Sequence, residues 1–139
     1  MEINPINYQK NSQQLLEHLD EYTKEKVRDL KGYESKKISY ELTENEVVLG
    51  GIVGEIHWGA LRIELFYVDE KARGKGVGQK LLTHVEAIAQ EANCLLVLLE
   101  TYSFNAPNFY LKNGYQQIGL IQDFPLVGES HHFMIKHLA

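Results

Sequence analysis

The N-terminal part of the chain carries a helical pattern of hydrophobic positions. Apolar residues recur at helical spacing over residues 12–30, which predicts an amphipathic helix. Asn11 or Ser12 is expected to cap its start, because either side chain can accept a hydrogen bond from the first turn. Gly32 is expected to end it, since glycine readily adopts the left-handed backbone found at helix C-termini. The apolar face comprises Leu15, Leu16, Leu19, Tyr22, Val27 and Leu30.

Three extended segments follow this helix. Residues 36–42 alternate between apolar and polar positions, the pattern of a half-exposed strand. Residues 47–57 and 61–68 predict two more strands, and the glycines in the first of them are typical of a bulge or a close backbone approach. Because short turns join the three strands, we expect them to form an antiparallel meander.

The pattern changes after the third strand. Residues 79–91 predict a helix that ends at Asn93, and residues 94–99 form a continuous apolar run, typical of a strand covered on both faces. Strand, helix and strand in this order form a βαβ unit, whose two strands are parallel. A short helix and two closing strands are predicted at residues 106–112, 115–121 and 132–138. The expected fold class is α/β, with a mixed sheet flanked by helices.

Composition and charge restrict the class of protein. The length of 139 residues suits one domain, and a chain that is 44% hydrophobic and 24% charged is typical of a globular protein. The net charge of −5 argues against a general nucleic-acid partner. A single cysteine excludes an internal disulfide and a cysteine-based zinc site. Without a signal-peptide pattern or an apolar run near the ~20 residues of a membrane span, we expect a cytoplasmic protein with no membrane partner.

A glycine-rich basic loop separates the third strand from the next helix. Residues 71–80, KARGKGVGQK, carry four positive charges and no acid, which leaves −9 on the rest of the chain. Gly74, Gly76 and Gly78 allow backbone N–H groups to approach a ligand closely, and the helix start adds unpaired N–H groups and a positive dipole end. The loop therefore predicts a phosphate or diphosphate site, with a solvated surface turn as the alternative.

The spacing of the glycines narrows the choice of phosphate ligand. The Walker pattern GxxxxGK[ST] is absent, and GxGxxG fails because its third glycine would fall on Gln79 or Leu81. What remains is R-x-x-G-x-G at Arg73, Gly76 and Gly78, between a strand and a helix.

Two segments of the chain resemble the GNAT N-acetyltransferase superfamily. VDEKARGKGVGQKLL, residues 68–82, is similar to the acetyl-CoA-binding motif of that family, and APNFYLKNGY, residues 106–115, is similar to its A-x-x-(F/L)-Y-x-K-x-G-(F/Y) segment. The resemblance covers about residues 47–138, whereas the first 45 residues resemble the family only in element order. It implies a GNAT-like, mostly antiparallel sheet whose central parallel strands splay apart at one end.

The resemblance also implies acetyl-CoA as the acyl donor. The loop Arg73–Gly78 would wrap the diphosphate, and the pantetheine arm would pair with the backbone near Phe66–Val68. The residues expected to bind the donor on these grounds are Phe66, Tyr67, Val68, Arg73, Gly74, Lys75, Gly76, Val77 and Gly78. The family's N-x-x-A asparagine is replaced by Ser103, three residues before Ala106. In the family this asparagine contacts the cofactor arm. Here either Ser103 or the neighbouring Asn105 supplies that contact, or the contact is lost. No metal is expected, because the histidines lack metal-site spacing.

Acetyl transfer to an amine sets the demands on catalytic side chains. Deprotonating an alkylamine of pKa near 10.4 at pH 7 costs about 4.6 kcal/mol, so a base is needed more than an acid. Tyr110 matches the family tyrosine that acts as general acid beside the sulfur; its alternative role is packing. The oxyanion would be held by a backbone N–H near Tyr67 or Val68.

Glu64 is the candidate base, because it is a carboxylate inside an otherwise apolar strand. Strand alternation places it on the same face as Phe66 and Val68. The family often carries a glutamate on this strand, which drains the amine proton through water. An ion pair with Arg62 or an exposed edge position is the alternative.

The function favoured by these features is acetyl-CoA-dependent N-acetylation of a primary amine, on a small molecule or a protein, by direct attack in a ternary complex. A non-catalytic acyl-CoA-binding or regulatory module on the same fold is the alternative, and another nucleotide-phosphate binder is less favoured. Cys94 is interpreted as a core residue. Family members often dimerise, so a homodimer is among the expected assemblies.

Overall fold

The computed structural model describes residues 1–28 and 35–138; Leu30 and Gly32, at the predicted end of the first helix, lie outside them. Within these residues three α-helices and six strands follow one another: α1 (Tyr8–Lys26), β1 (Lys36–Glu44), β2 (Val47–His57), β3 (Ala60–Val68), α2 (Val77–Glu91), β4 (Leu96–Tyr102), α3 (Pro107–Lys112), β5 (Gln116–Gln122) and β6 (Ser130–His137). The strands form one sheet in the order β1-β2-β3-β4-β6-β5, and β3 and β4 are its one parallel pair among the described strands. The predicted α/β class, the meander and the βαβ unit are confirmed.

The parallel pair is very short. It consists of Ala60 with Leu96, Leu61 with Val97 and Arg62 with Leu98. Beyond these three pairs β3 remains bonded to β2, and β4 to β6, so each strand keeps a partner on its outer side. The inner edges of β3 and β4 therefore separate, as the resemblance implied.

A β-bulge lies in β3 where this separation begins. Val53 of β2 pairs with Leu65 and the next residue, Gly54, pairs with Ile63, which leaves Glu64 as the extra residue. Ile63 is buried in the core, and Phe66 packs against the same core. Glu64 therefore lies on the face opposite Phe66, and the prediction from strict alternation is wrong because the bulge shifts the period by one residue.

Helix α2 supplies most of the cover for one face of the sheet. Its buried side chains are Val77, Leu81, Leu82, Val85 and Ala89. The helix begins two residues earlier than predicted, because Gly76 takes a left-handed conformation at the N-cap and the Val77 side chain enters the core. Strand β4 begins only at Leu96 and is buried at alternate positions, so the prediction of a strand covered on both faces is wrong. Cys94 is 5% exposed, which confirms it as a core residue.

Helix α1 differs most from its prediction. It begins at Tyr8 because the Asn7 side chain accepts a hydrogen bond from the Lys10 N–H at 2.9 Å, so Asn11 and Ser12 lie inside the helix. None of its residues is buried, and Leu15, Leu16, Leu19 and Tyr22 of the predicted apolar face are exposed. Asp20 connects it to the turn after β2, bonding the His57 ring at 3.1 Å and the Trp58 indole N–H at 3.2 Å. No helix in the described ranges is long and apolar enough to cross a membrane.

A polar network connects α2 to the last two strands. The Tyr115 hydroxyl donates to Glu86 at 2.6 Å, and the Lys136 ammonium donates to the other oxygen of the same carboxylate at 3.1 Å. Tyr115 is 4% exposed. Its burial is the main cause that raises the pKa of its phenol, and the hydrogen bond to Glu86 is the second cause. Strand β5 begins one residue later than predicted, at Gln116, because the Tyr115 N–H donates to the Tyr110 carbonyl oxygen at the end of α3.

We expect Tyr115→Phe to lower the free energy of unfolding by about 1.5–3 kcal/mol, because a half-buried carboxylate loses a hydrogen bond. Urea denaturation measures this change. Tyr8→Phe is the matched control, since Tyr8 is 84% exposed and its substitution should change stability by less than about 0.5 kcal/mol. Equal effects of the two substitutions would show that the network contributes no stability.

Candidate active site

A cleft of about 780 Å³ opens where β3 and β4 separate. It is lined by the end of β3, the glycine-rich loop, the start of α2, the end of β4 and helix α3. The lining includes most of the residues singled out in the sequence: Glu64, Phe66, Tyr67, Val68, Arg73, Gly74, Gly76, Val77, Gly78, Asn105 and Tyr110. Lys75 and Ser103 are not part of this lining.

The glycines of the loop serve different purposes. Gly74 and Gly76 have φ of +81° and +78°, and a Cβ at either position would meet nothing within 4 Å. Their backbone conformation, rather than crowding, therefore favours glycine. At Gly78 a Cβ would lie 3.2 Å from Phe109 Cζ, so this glycine allows α2 to pack closely on α3.

The start of α2 gives the loop end of the cleft a positive character. Gly76 caps the helix without a side-chain hydrogen bond, and the first turn contains no acidic residue. The first N–H groups of a helix have no partner within it, and the helix dipole is positive at this end. Arg73 adds a full positive charge at the same edge of the cleft. This arrangement can bind an anion.

Tyr110 lies on α3 and is 9% exposed. Its ring packs edge-on against Phe66, Phe109 and Tyr115, with centroid distances of 6.3, 5.3 and 5.8 Å. Its hydroxyl makes no hydrogen bond within the described part of the chain, although the residue lines the cleft. Burial raises the pKa of Tyr110 to about 12, so the phenol is protonated at neutral pH.

Glu64 is exposed and lines the cleft. Among the described residues, none of the close contacts between a carboxylate and a lysine, arginine or histidine involves Glu64 or Arg62. Its carboxylate is therefore available to a ligand that enters between β3 and β4.

Ser103 and Asn105 take different positions. The Ser103 hydroxyl bonds the Glu129 carboxylate and also accepts the Ser130 N–H at 2.9 Å, so it fastens the end of β4 to the start of β6. Asn105 lines the cleft two residues further along. The structure thus brings only Asn105 to the cavity, although Ser103 occupies the motif position.

Sequence reasoning missed several residues of the cleft wall, among them Glu100, Tyr102 and Phe104. They lie at the end of β4 and just after it, outside both family-like segments. Alternation along β4, with Glu100 between the buried Leu99 and Thr101, was the available signal. In the described ranges no three His, Cys, Asp or Glu side chains are grouped so as to hold a metal ion.

Comparison with known proteins identifies the family. Residues 35–117 match the family model described as an acetyltransferase (GNAT) domain, which is more than half of the chain. The chain belongs to the GNAT acetyltransferase family and is an acyltransferase enzyme, which confirms the resemblance seen in the two sequence segments.

Individual relatives agree with this assignment. Blasticidin-S acetyltransferase of Streptomyces morookaense is 38% identical over 101 residues, which cover 72% of this chain and 74% of the relative. The 1.9 Å crystal structure of an acetyltransferase from Bacillus cereus superposes with a TM-score of 0.85 at 32% identity, covering 99% of this chain and 98% of that one. A third similar structure is that of a Bacillus anthracis protein assigned as a streptothricin acetyltransferase, in complex with acetyl coenzyme A. It gives a TM-score of 0.66 at 27% identity and covers 74% of this chain and 63% of that one.

Proposed function

We propose that this chain transfers the acetyl group of acetyl-CoA to a primary amine of a small molecule by direct attack in a ternary complex. The observation that carries the proposal is the gap between β3 and β4, which has a cationic glycine loop at one end and the protonated phenol of Tyr110 in its wall.

The groups along the cleft fit the chemistry of acetyl-CoA as acyl donor. Gly74, Gly76 and the start of α2 offer backbone N–H groups to the diphosphate, with Arg73 beside them. Beyond Arg62 the inner edge of β3 has no strand partner, so the backbone of residues 66–68 can pair with the amides of the pantetheine arm, as an added strand does. This pairing directs the thioester toward Tyr110.

Side chains of the cleft act as the base and the acid of the transfer. The neutral amine attacks the thioester carbonyl carbon, so that a C–N bond forms and the C–S bond breaks. Glu64 takes the amine proton through water and passes it to solvent, while Tyr110 gives its proton to the departing thiolate and regains one from solvent. A backbone N–H of Tyr67 or Val68 holds the carbonyl oxygen as negative charge develops on it.

Two of the comparisons favour a small acceptor. One curated relative is named for blasticidin S and one acetyl-CoA complex for streptothricin, and neither of these names refers to a protein amine. An acceptor that carries positive charge also suits a chain whose net charge outside the loop is −9.

Two measurements on the purified protein test the proposal. A thermal-shift panel with coenzyme A, ATP and NAD should show stabilisation by coenzyme A, and stabilisation by ATP alone would contradict the proposed donor. Release of free thiol from acetyl-CoA, measured across a library of amines, should rise with at least one of them. Binding of coenzyme A without thiol release for any amine would instead indicate a non-catalytic acyl-CoA-binding module.

We expect Arg73→Gln to weaken coenzyme A binding about ten-fold, because a charge-assisted contact to the diphosphate is lost. Isothermal titration calorimetry measures the dissociation constant. Lys71→Gln is the matched control, since it removes an equal charge from the same loop at a residue outside the cleft. A similar loss in both variants would indicate general charge attraction rather than a contact.

We expect Tyr110→Phe to lower kcat by roughly 10²–10⁴ with little change in the affinity for acetyl-CoA, since the thiolate loses its proton donor while the ring still packs. Steady-state kinetics together with calorimetry separate the two effects. An unchanged kcat would remove Tyr110 from the mechanism.

We expect Glu64→Gln to alter the acidic limb of the pH–rate profile, because amide in place of carboxylate leaves the amine proton without this acceptor. The measurement is kcat/KM against pH for wild type and variant at saturating acetyl-CoA. Superimposable acidic limbs would rule out this role for Glu64.

A further inference from the structure

We propose that Glu100, positioned by His131, contacts the acceptor and selects amines that carry a second positive charge. This inference rests on the proposed function, because it requires the acceptor to meet acetyl-CoA where β3 and β4 separate.

The position of Glu100 follows from the register of the parallel strands. Leu98 is the last β4 residue paired with β3, and its partner is Arg62. Glu100 lies two residues beyond Leu98, and Glu64 lies two residues beyond Arg62. Both carboxylates line the cleft, so they flank the opening from the two strands.

Glu100 also lies on the face of the sheet opposite the one that α2 covers. Leu99 and Thr101, its neighbours in β4, are buried on the face that α2 covers, and alternation turns Glu100 to the opposite face. The bulge places Glu64 on that same face. With Tyr110 packed against Phe66 on the core side, the acceptor and the proton donor approach the thioester from opposite sides.

His131 lies against the Glu100 carboxylate. The pairing of β4 with β6 places Tyr102 opposite His131, and the His131 Nε2 lies 3.2 Å from Glu100 Oε1. The imidazole lies nearly parallel to Phe133 and Phe124, at centroid distances of 4.8 and 5.6 Å, and its side chain is only 13% exposed. A carboxylate held in this way loses less conformational freedom when it binds a cation.

The imidazole approaches the Glu100 carboxylate through its Nε2 nitrogen. His131 Nδ1 is buried and has no hydrogen-bond partner among the described residues. The Glu100 side chain is itself 48% exposed, so its second oxygen can reach a ligand.

Two aromatic rings extend the wall beside Glu100. Tyr102 and Phe104 both line the cleft and stack with a centroid distance of 5.3 Å and an interplanar angle of 6°. Phe104 is 58% exposed, so its ring adds little to the core. Aromatic faces next to a carboxylate recognise ammonium and guanidinium groups. The acceptor class is therefore a small amine with a second cationic group that lies between Glu100 and these rings.

The test compares 1,5-diaminopentane with 1-aminopentane, which match in length and differ in the second ammonium. The wild-type protein should acetylate the diamine with a kcat/KM about ten-fold higher, and Glu100→Gln should remove that preference through the KM of the diamine alone. Glu91→Gln, which removes a carboxylate outside the cleft, should keep the preference.

The outcomes separate this inference from the proposed function. A wild-type protein without preference, a preference that Glu100→Gln retains, or turnover of neither amine by protein that binds acetyl-CoA would overturn it. Failure to bind acetyl-CoA, or binding without thiol release for any amine of the wider library, would overturn the proposed function itself.

The positioning role of His131 has its own pair of variants. His131→Leu should reduce the diamine preference as Glu100→Gln does, while the KM for 1-aminopentane and for acetyl-CoA stays constant. His131→Asn, which keeps an N–H donor, should restore part of the preference. A preference retained in the leucine variant, or equal loss toward both amines, would show that His131 is only structural.

Discussion

The separation of β3 and β4 after three residue pairs is the constraint on which the rest of the molecule depends. Backbone groups inside a sheet normally pair on both sides, and leaving a strand edge open is unfavourable unless another partner can pair with it. Here each strand keeps its outer neighbour, β2 or β6, so that only the inner edges are open. Glycines of β2 permit this path, because a Cβ at Gly54 would lie 2.6 Å from the Arg62 carbonyl oxygen and one at Gly50 would lie 2.8 Å from that of Tyr67.

The two ends of the resulting cleft have opposite electrostatic character. The loop end combines Arg73, the left-handed glycines and the start of α2, all of which favour an anion. The other end carries the carboxylates of Glu64 and Glu100 and favours a cation. A chain that is acidic apart from one basic loop thus has a cleft whose two ends suit an anion and a cation, which matches the proposed donor and the proposed acceptor.

Much of this arrangement was predictable from sequence because it depends on local chemistry. The bounds of β2, the glycine loop and the position of α3 follow from alternation, turn residues and helix ends. The face of Glu64 was not predictable, because the glycines of β2 indicate a bulge without showing which residue of β3 it displaces. Glu100 and His131 are far apart in sequence, and only the pairing of β4 with β6 brings them together. The exposure of α1 was missed because amphipathic spacing indicates an apolar face without showing what covers it.

A crystal structure of the protein in complex with a non-reactive acetyl-CoA analogue tests the central claim most directly. The account predicts the diphosphate within about 3 Å of backbone N–H groups of residues 74–78, the pantetheine arm paired with the inner edge of β3, and the sulfur beside the Tyr110 hydroxyl. A donor bound elsewhere, or a β3 edge that remains unpaired when the donor is bound, would contradict it.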